Sequence, residues 1–509
     1  MSTAATTVRA LHPSEPTEVP GSPNWFLTLT PRPLLLRSAK RGKHGGAEDG
    51  TGYTPVLDWL PEVTERLVVT GPDGSVASVH YRVRVGADER TVSAEDLRTG
   101  QVWDTYADAV GTGTRMVRDV LGNVVRYLGT MCERITATPR TGWHHIGGER
   151  VYLRPDGRTV PEGRPLRLVG MRAVTAAAAA PHPDPAPGEA LAPALGEMAG
   201  HGWAPLLGLG IGARALGHSI RDVSTSVIAV GPPNSGKTSL AGAARSLVLT
   251  PSGERAWPPV ATSSFSDTIT DIECRIDAEA DMAPLLEDLA LTRDSSRREV
   301  AKGDQVLEGI VRPLWNGTQV RGRRGKGLDA QAERYVRAPL VVTAQSLPPT
   351  MQTSLYRRTV LVYMGHGDTD TAWWRDNGAR MSGAQRAIGD RILERLAASD
   401  AAEVLRAADE AGMRALSAAL DTAAPAWRDD VTGLDGVAER AGALLGGLVL
   451  VAQAAGAEAG PLLEAVAPRL AASLVRQAEA MADRAEASDD LGASIGDVLR
   501  MAMASGRAH

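Results

Sequence analysis

Gly231, Gly236, Lys237 and Thr238 stand in the spacing G-x-x-x-x-G-K-[ST] within VIAVGPPNSGKTSL, Val227 to Leu240. Glycine at both ends lets the backbone turn so that successive N–H groups converge on one point, with Pro232, Pro233, Asn234 and Ser235 forming the loop between. An ammonium at Lys237 can reach the β- and γ-oxygens of a polyphosphate, and the Thr238 hydroxyl, followed by Ser239, can ligate Mg²⁺. The spacing alone would arise by chance in about one such chain in a hundred. Here the apolar run before Gly231 reads as a strand and the residues from Lys237 onward as a helix, whose N-terminal end adds positive partial charge. Lysine occurs only at Lys40, Lys43, Lys237, Lys302 and Lys326, arginine carrying nearly all other positive charge. So strong a drift to arginine that nevertheless keeps Lys237 points to a need for a compact ammonium there. Gly231 through Ser239 are therefore the expected nucleoside-triphosphate site, with ATP and Mg²⁺ as cofactors.

Such a loop needs an acidic residue at the end of a neighbouring strand. MAPLLEDLAL, Met282 to Leu291, supplies Glu287 and Asp288. The expected roles are Glu287 beside Thr238 on the metal and Asp288 orienting water; the Glu-Asp order reverses the commoner Asp-Glu, so the two roles stay interchangeable. Upstream, SSFSDTITDIECRIDAEAD (Ser263 to Asp281) reads as a helix capped by Thr268-x-x-Asp271. Downstream, Arg321, Arg323, Arg324 and Lys326 alternate with glycines, either a loop tracking nucleic-acid phosphates or a solvated basic loop. The strand of VRAPLVVTAQSLPP ends in Thr343 and Gln345, Gln345 being placed to sense a γ-phosphate. Arg357 and Arg358 precede another apolar run, where an arginine can stabilise transition-state charge on a neighbouring subunit's phosphate.

The elements that must position these residues fall into blocks. Residues 1–20 are Pro/Ser/Thr-rich and read as disordered, and 21–172 as a mainly β (α+β) domain with one helix over about 106–130. Residues 173–188 are an Ala/Pro-rich linker. Residues 189–365 alternate strands and helices, which predicts an α/β core with a parallel sheet. Residues 366–509 are helical throughout and suggest no chemistry. The final VLRMAMASGRAH does not resemble a natural cap, so a further C-terminal piece is an open expectation.

The 509 residues carry a net charge of −5, so no global field marks nucleic acid or membrane, and any polyanion site must be local. Cys132 and Cys274 lie far apart with no metal or redox spacing, which fits a reducing compartment. The N-terminus lacks a signal-peptide core, and the longest apolar stretch, Ala441 to Ala455, is short and glycine-rich for a bilayer span. The reading is a cytoplasmic protein without membrane contact. His144 and His145 are adjacent in the sequence and so point to opposite sides of a strand, with no third metal ligand nearby.

In order, an acidic strand, a basic insertion, a polar-ended strand and an arginine-led strand resemble the AAA+ class and, within it, the superfamily 3 helicases of viruses and mobile elements. TPRTGWHHIGGERVYLRPDG, Thr138 to Gly157, is similar to a Gly-Trp β segment of primase-associated helicases of prophages and integrative elements. The resemblance spans about residues 100–365. It implies an AAA+-like ATPase, a hexamer gripping single-stranded DNA through Arg321 to Lys326, and a part in replication or transfer of a mobile element. The chain departs from the pattern in Glu287-Asp288, in Gln345 where Asn is commoner, and in lacking a primase zinc site. The alternative is a nucleotide-dependent switch or scaffold that engages a protein partner through the N-terminal block or helical tail without moving along DNA. A phosphotransferase is disfavoured, since no lid or acceptor signature is evident.

Overall fold

The computed structural model describes residues 16–29, 33–38, 53–70, 76–106, 114–169, 188–249, 262–289, 297–317, 335–348, 351, 353–424 and 435–504. The chain divides into two compact units, Met1–Pro139 with Pro165–Gly170, and Arg140–Arg164 with Met171–His509. The predicted linker at 173–188 lies outside the described residues except for Gly188.

In the first unit β1 (Thr17–Glu18), β2 (Trp25–Thr28), β3 (Leu34–Ser38) and β4 (Tyr53–Leu57) form an antiparallel sheet in chain order. There follow β5 (Glu62–Thr70), β6 (Val76–Val85), β7 (Asp88–Ser93), α1 (Ala94–Thr99), α2 (Arg115–Gly129) and β8 (Arg134–Thr138). The chain then makes β9 (Gly142–Ile146), β10 (Glu149–Leu153) and β11 (Thr159–Val160) in the second unit before returning as β12 (Leu166–Leu168). The larger sheet has the order β12-β8-β5-β6-β7. Thr114 caps α2, whose Val117, Val120, Leu121, Val124 and Val125 recur at helical spacing and bury one face in a core with Tyr81 and Val83. The predicted disorder of residues 1–20 needs correction at its end, where Thr17 and Glu18 pair with β2 and Val19 is 1% exposed in that core. Residues 1–15 lie outside the described residues.

The boundary also differs from the expected 21–172, because Arg140–Arg164 groups with the second unit. Gly147 and Gly148, both at positive φ, make the two-residue turn between β9 and β10. Trp143 anchors the hairpin, its Nε1 donating to Leu216 O at 2.6 Å and its N to the Asp281 carboxylate at 3.0 Å. Gly142 must be glycine, since it has φ +90° and a Cβ there would lie 2.5 Å from Asp281 Oδ2. The tertiary contact thus overrides sequence proximity and assigns the Gly-Trp segment to the second unit.

That unit enters its sheet through α3 (Leu191–Ala199) and α4 (Trp203–Ala215). The core then alternates β13 (Ser226–Val230), α5 (Lys237–Ser246), β14 (Ser263–Ser264), α6 (Ile269–Ala278), β15 (Leu285–Leu289), α7 (Arg297–Asn316), β16 (Leu340–Ala344), α8 (Thr353–Tyr356) and β17 (Thr359–Tyr363). Every pairing is parallel, in the order β14-β15-β16-β13-β17, so β13 lies between β16 and β17. β13 and β16 are buried at every residue, as expected of a parallel sheet covered on both faces. Thr268 caps α6 by accepting from Asp271 N, as its sequence implies, but Ile272, Glu273 and Ile276 face inward.

The helical region comprises α9 (Thr371–Ala397), α10 (Ala401–Ala423), α11 (Asp435–Ala455) and α12 (Gly460–Ala504). It is continuous with the sheet through α4, which is buried at every residue. A Cβ at Gly208 or Gly212 would lie 2.2 or 2.3 Å from carbonyls of α5, and one at Gly447 of α11 would lie 1.8 Å from Gly210 O. α4 is therefore clamped backbone against backbone between α5 and α11. α11 is long and apolar enough to cross a membrane, yet most of it is buried against its neighbours. α12 seals the exposed edge of β17: Gln477 accepts from Leu361 N at 3.0 Å and donates to Thr359 O at 2.8 Å, while Ser473 Oγ accepts from Tyr363 N.

Candidate functional site

The Gly231–Ser239 loop leaves the C-terminal end of β13 and enters α5. Gly231 N donates to Ala344 O at 3.2 Å, and a Cβ on Gly231 would meet Met364 O at 2.3 Å, so the loop begins wedged between β16 and the segment after β17. Asn234 at φ +60° and Gly236 at φ +90° take the left-handed backbone that turns amides toward a common centre. Lys237 Nζ donates to Gly231 O and Pro232 O, each at 2.7 Å, and approaches Ser235 Oγ at 3.4 Å. Burial without a carboxylate partner shifts the ammonium pKa below its ordinary value. Pro233 and Thr238 are exposed while Ser239 is buried.

Residues Asn234 to Ser239 line a cleft of about 270 Å³, closed on its other side by Thr371 and Arg375 of α9. Three clefts of similar size lie elsewhere among the described residues, one between α9 and α11 beside Arg391 and Leu450, one beside Arg154 and Glu394, and one where Arg221 and Arg440 stand among Asp222, Asp409, Glu410 and Glu439. None of the three adjoins a helix-entering glycine loop, so the cleft at Asn234 to Ser239 is the one whose lining suits an anion.

The acidic pair lies on the same sheet edge. Leu286 pairs with Val342 and Leu289 with Ala344, so Glu287 and Asp288 together oppose Thr343 in a bulge. Glu287 is half-buried, and Phe265 N donates to its carbonyl. The Asp288 side chain lies outside the described residues. With β16 intervening, β15 stands two strand spacings, about 10 Å, from β13. Gln345, just past β16, is exposed and donates its N to Leu289 O at 3.1 Å.

The other predicted residues are not gathered here. Arg357 and Arg358 precede β17 and so occupy the N-terminal edge of the sheet, opposite the loop. Five strand residues separate them from the C-terminal edge, about 16 Å. Neither can serve its own loop, and phosphate contact from them is geometrically open only to another copy. Arg358 Nη1 donates to Ser354 O at 3.0 Å, whereas Arg357 is exposed. Arg321, Arg323, Arg324 and Lys326 lie outside the described residues.

The helical region, whose sequence suggested no chemistry, contributes Thr371 and Arg375 to the lining of the cleft. Asp368 accepts from Gly365 N at 2.7 Å and from Trp203 Nε1 at 2.8 Å, and Asp370 caps α9 by accepting from Trp373 N at 3.0 Å. The sequence signal was Asp370 ahead of a long helical pattern, which places Thr371 and Arg375 one turn apart on one face.

No protein-family model matches the chain, and no curated protein matches it. Among solved structures it is similar to the SCCmec type IV Cch active helicase, with a TM-score of 0.53 and 9% sequence identity, over 83% of this chain and 73% of that one. At that identity the likeness establishes a helicase-like multidomain α/β fold and leaves the activity to the site's own chemistry.

Proposed function

We propose that the chain is an ATP-hydrolysing motor of the helicase type, working on DNA as a homo-oligomer of AAA+-like subunits. One observation carries the reading: the Gly231–Ser239 P-loop holds Lys237 over left-handed backbone at the sheet edge that also carries the Glu287–Asp288 bulge. Main-chain amides and the α5 N-terminus receive the phosphates. Lys237 exchanges Gly231 O and Pro232 O for phosphate oxygens, whose negative charge offsets the desolvation of its ammonium. The exposed Thr238 hydroxyl and the half-buried Glu287 carboxylate are oxygen donors that suit Mg²⁺, which would supply charge neutralisation on the phosphates.

Asp288 orients the attacking water, and Gln345 senses the γ-phosphate from the end of β16. Arg375 adds a cation from α9, so the helical region takes part in the phosphate contacts. Arg357 and Arg358 act across a subunit boundary, which is the role their place on the sheet leaves open. Arg321, Arg323, Arg324 and Lys326 contact the DNA backbone. The cytoplasm, where ATP and DNA meet, is the compartment this reading requires.

Native mass measurement in ATP together with strand separation on a forked duplex tests the proposal. A ring-sized assembly that separates strands supports it. A monomer in ATP that ignores DNA would remove it and favour the switch, whose partner would then be sought with nucleotide present.

A further inference from the structure

The cleft of about 270 Å³ stands at the small end of the ~300–1,000 Å³ typical of pockets that enclose a whole small molecule. It suits a phosphate chain and leaves the nucleoside to an adjoining surface. One side of the loop has such a surface. Thr369 packs directly on Gly236, so that a Cβ on Gly236 would lie 2.4 Å from the Thr369 hydroxyl. Thr369 is 6% exposed, and its Oγ1 has no hydrogen-bond partner among the described residues. Its Cα would in turn lie 2.7 Å from a Cβ on Gly202. A single residue therefore separates the loop from the His201–Gly202 turn.

There His201 and Trp373 stack with ring centroids 4.0 Å apart and planes within 5°. Both are only partly buried. Both members are tied to the start of α9: His201 Nδ1 lies 3.1 Å from Asp370 Oδ2, His201 O accepts from Asp370 N at 3.0 Å and Trp374 Nε1 at 3.2 Å, and Trp373 N donates to Asp370 Oδ1 at 3.0 Å. A partly exposed stack one residue removed from the Gly231–Ser239 loop, with an orphaned hydroxyl on the residue between them, supplies parts that a nucleotide site needs beyond the phosphates.

We propose that His201 and Trp373 receive a purine base by extending their stack, and that the Thr369 hydroxyl bonds the ribose. This rests on the phosphate reading of the Gly231–Ser239 loop and adds the base preference. Stacking on an aromatic side chain changes affinity by roughly 5- to 150-fold per base, and the larger purine overlaps more ring area than a pyrimidine.

Equilibrium binding of Mg·ATP, Mg·CTP and magnesium tripolyphosphate to the full chain tests it, in wild type, His201→Ala, Trp373→Leu, Thr369→Val and His201→Phe. The expected result is ATP at least about tenfold tighter than tripolyphosphate and tighter than CTP. That preference should be lost in His201→Ala and Trp373→Leu, weakened in Thr369→Val and kept in His201→Phe, with tripolyphosphate affinity unchanged throughout. Equal affinity for ATP and tripolyphosphate in wild type, or variants that weaken both alike, would overturn the subsite while leaving the phosphate reading intact. If the wild type binds none of the three, the phosphate reading falls and the subsite with it.

Discussion

Replacing Gln477 by leucine keeps side-chain volume close to native and removes one acceptor and two donors from a fully buried position, 0% exposed. Among the described residues β17 pairs only with β13, so Thr359 O and Leu361 N point outward, where a further strand would pair. Gln477 takes that strand's place, and its amide also donates to Tyr356 O. An orphaned buried group costs about 1–3 kcal/mol. Taking ~2 kcal/mol for the Leu361 N–H and ~1 kcal/mol for each carbonyl, which keeps a second lone pair, gives about 4 kcal/mol lost from the local stability of this edge. At 1.36 kcal/mol per tenfold, exchange of the Leu361 amide through local opening should quicken about a thousandfold. Hydrogen exchange read by mass spectrometry on peptides spanning Thr359–Tyr363 measures it, with the β13 peptide as internal reference. Unchanged exchange at Leu361 would refute the claim that α12 stands in for a strand.

Three further outcomes are expected. Gly447→Ala inserts a Cβ 1.8 Å from Gly210 O and must part α11 from α4, so thermal unfolding should fall by the equivalent of about 1–3 kcal/mol; an unshifted midpoint would contradict the backbone-to-backbone clamp. Burial raises the Asp281 pKa to about 6 against the donors from Trp143 and Ser219. The folded state therefore binds this proton more readily than the unfolded one, so the penalty of its charge is present above about 6 and relieved as pH falls from there toward the ordinary carboxylate range. Stability measured from pH 7 to 5 should rise more in wild type than in Asp281→Asn, and parallel profiles would contradict this. Asp288→Asn should spare ATP binding and stop turnover, whereas sustained turnover would remove Asp288 from the water-orienting role.

The loop's shape was legible because its backbone constrains residue type at fixed offsets, with glycine at Gly236 where φ is +90° and the helix beginning at Lys237 one residue on. The strands were legible as short apolar runs, and the order of motifs carried the expectation of a parallel sheet. What escaped was set by tertiary contact. Trp143 reads as part of a β-rich N-terminal block until its bonds to Leu216 and Asp281 assign it elsewhere. Arg375 lies far along the chain from Lys237, and only the return of β17 beside β13 brings α9 over the loop. Arg357 and Arg358 read by type as ligands of a neighbouring subunit's phosphate, and only the direction of β17 shows that they stand on the sheet edge opposite their own loop. Gln477 and Ser473 are ordinary helix residues by pattern, and no local signal says that they face the open edge of a sheet.

Steady-state ATP turnover by wild type and Lys237→Ala, each with and without single-stranded DNA, tests the central claim most directly. The account predicts turnover that DNA stimulates and that vanishes in the variant, since Lys237 is the loop's own cation on the phosphates. Turnover that persists in Lys237→Ala, or wild-type turnover indifferent to DNA, would contradict it.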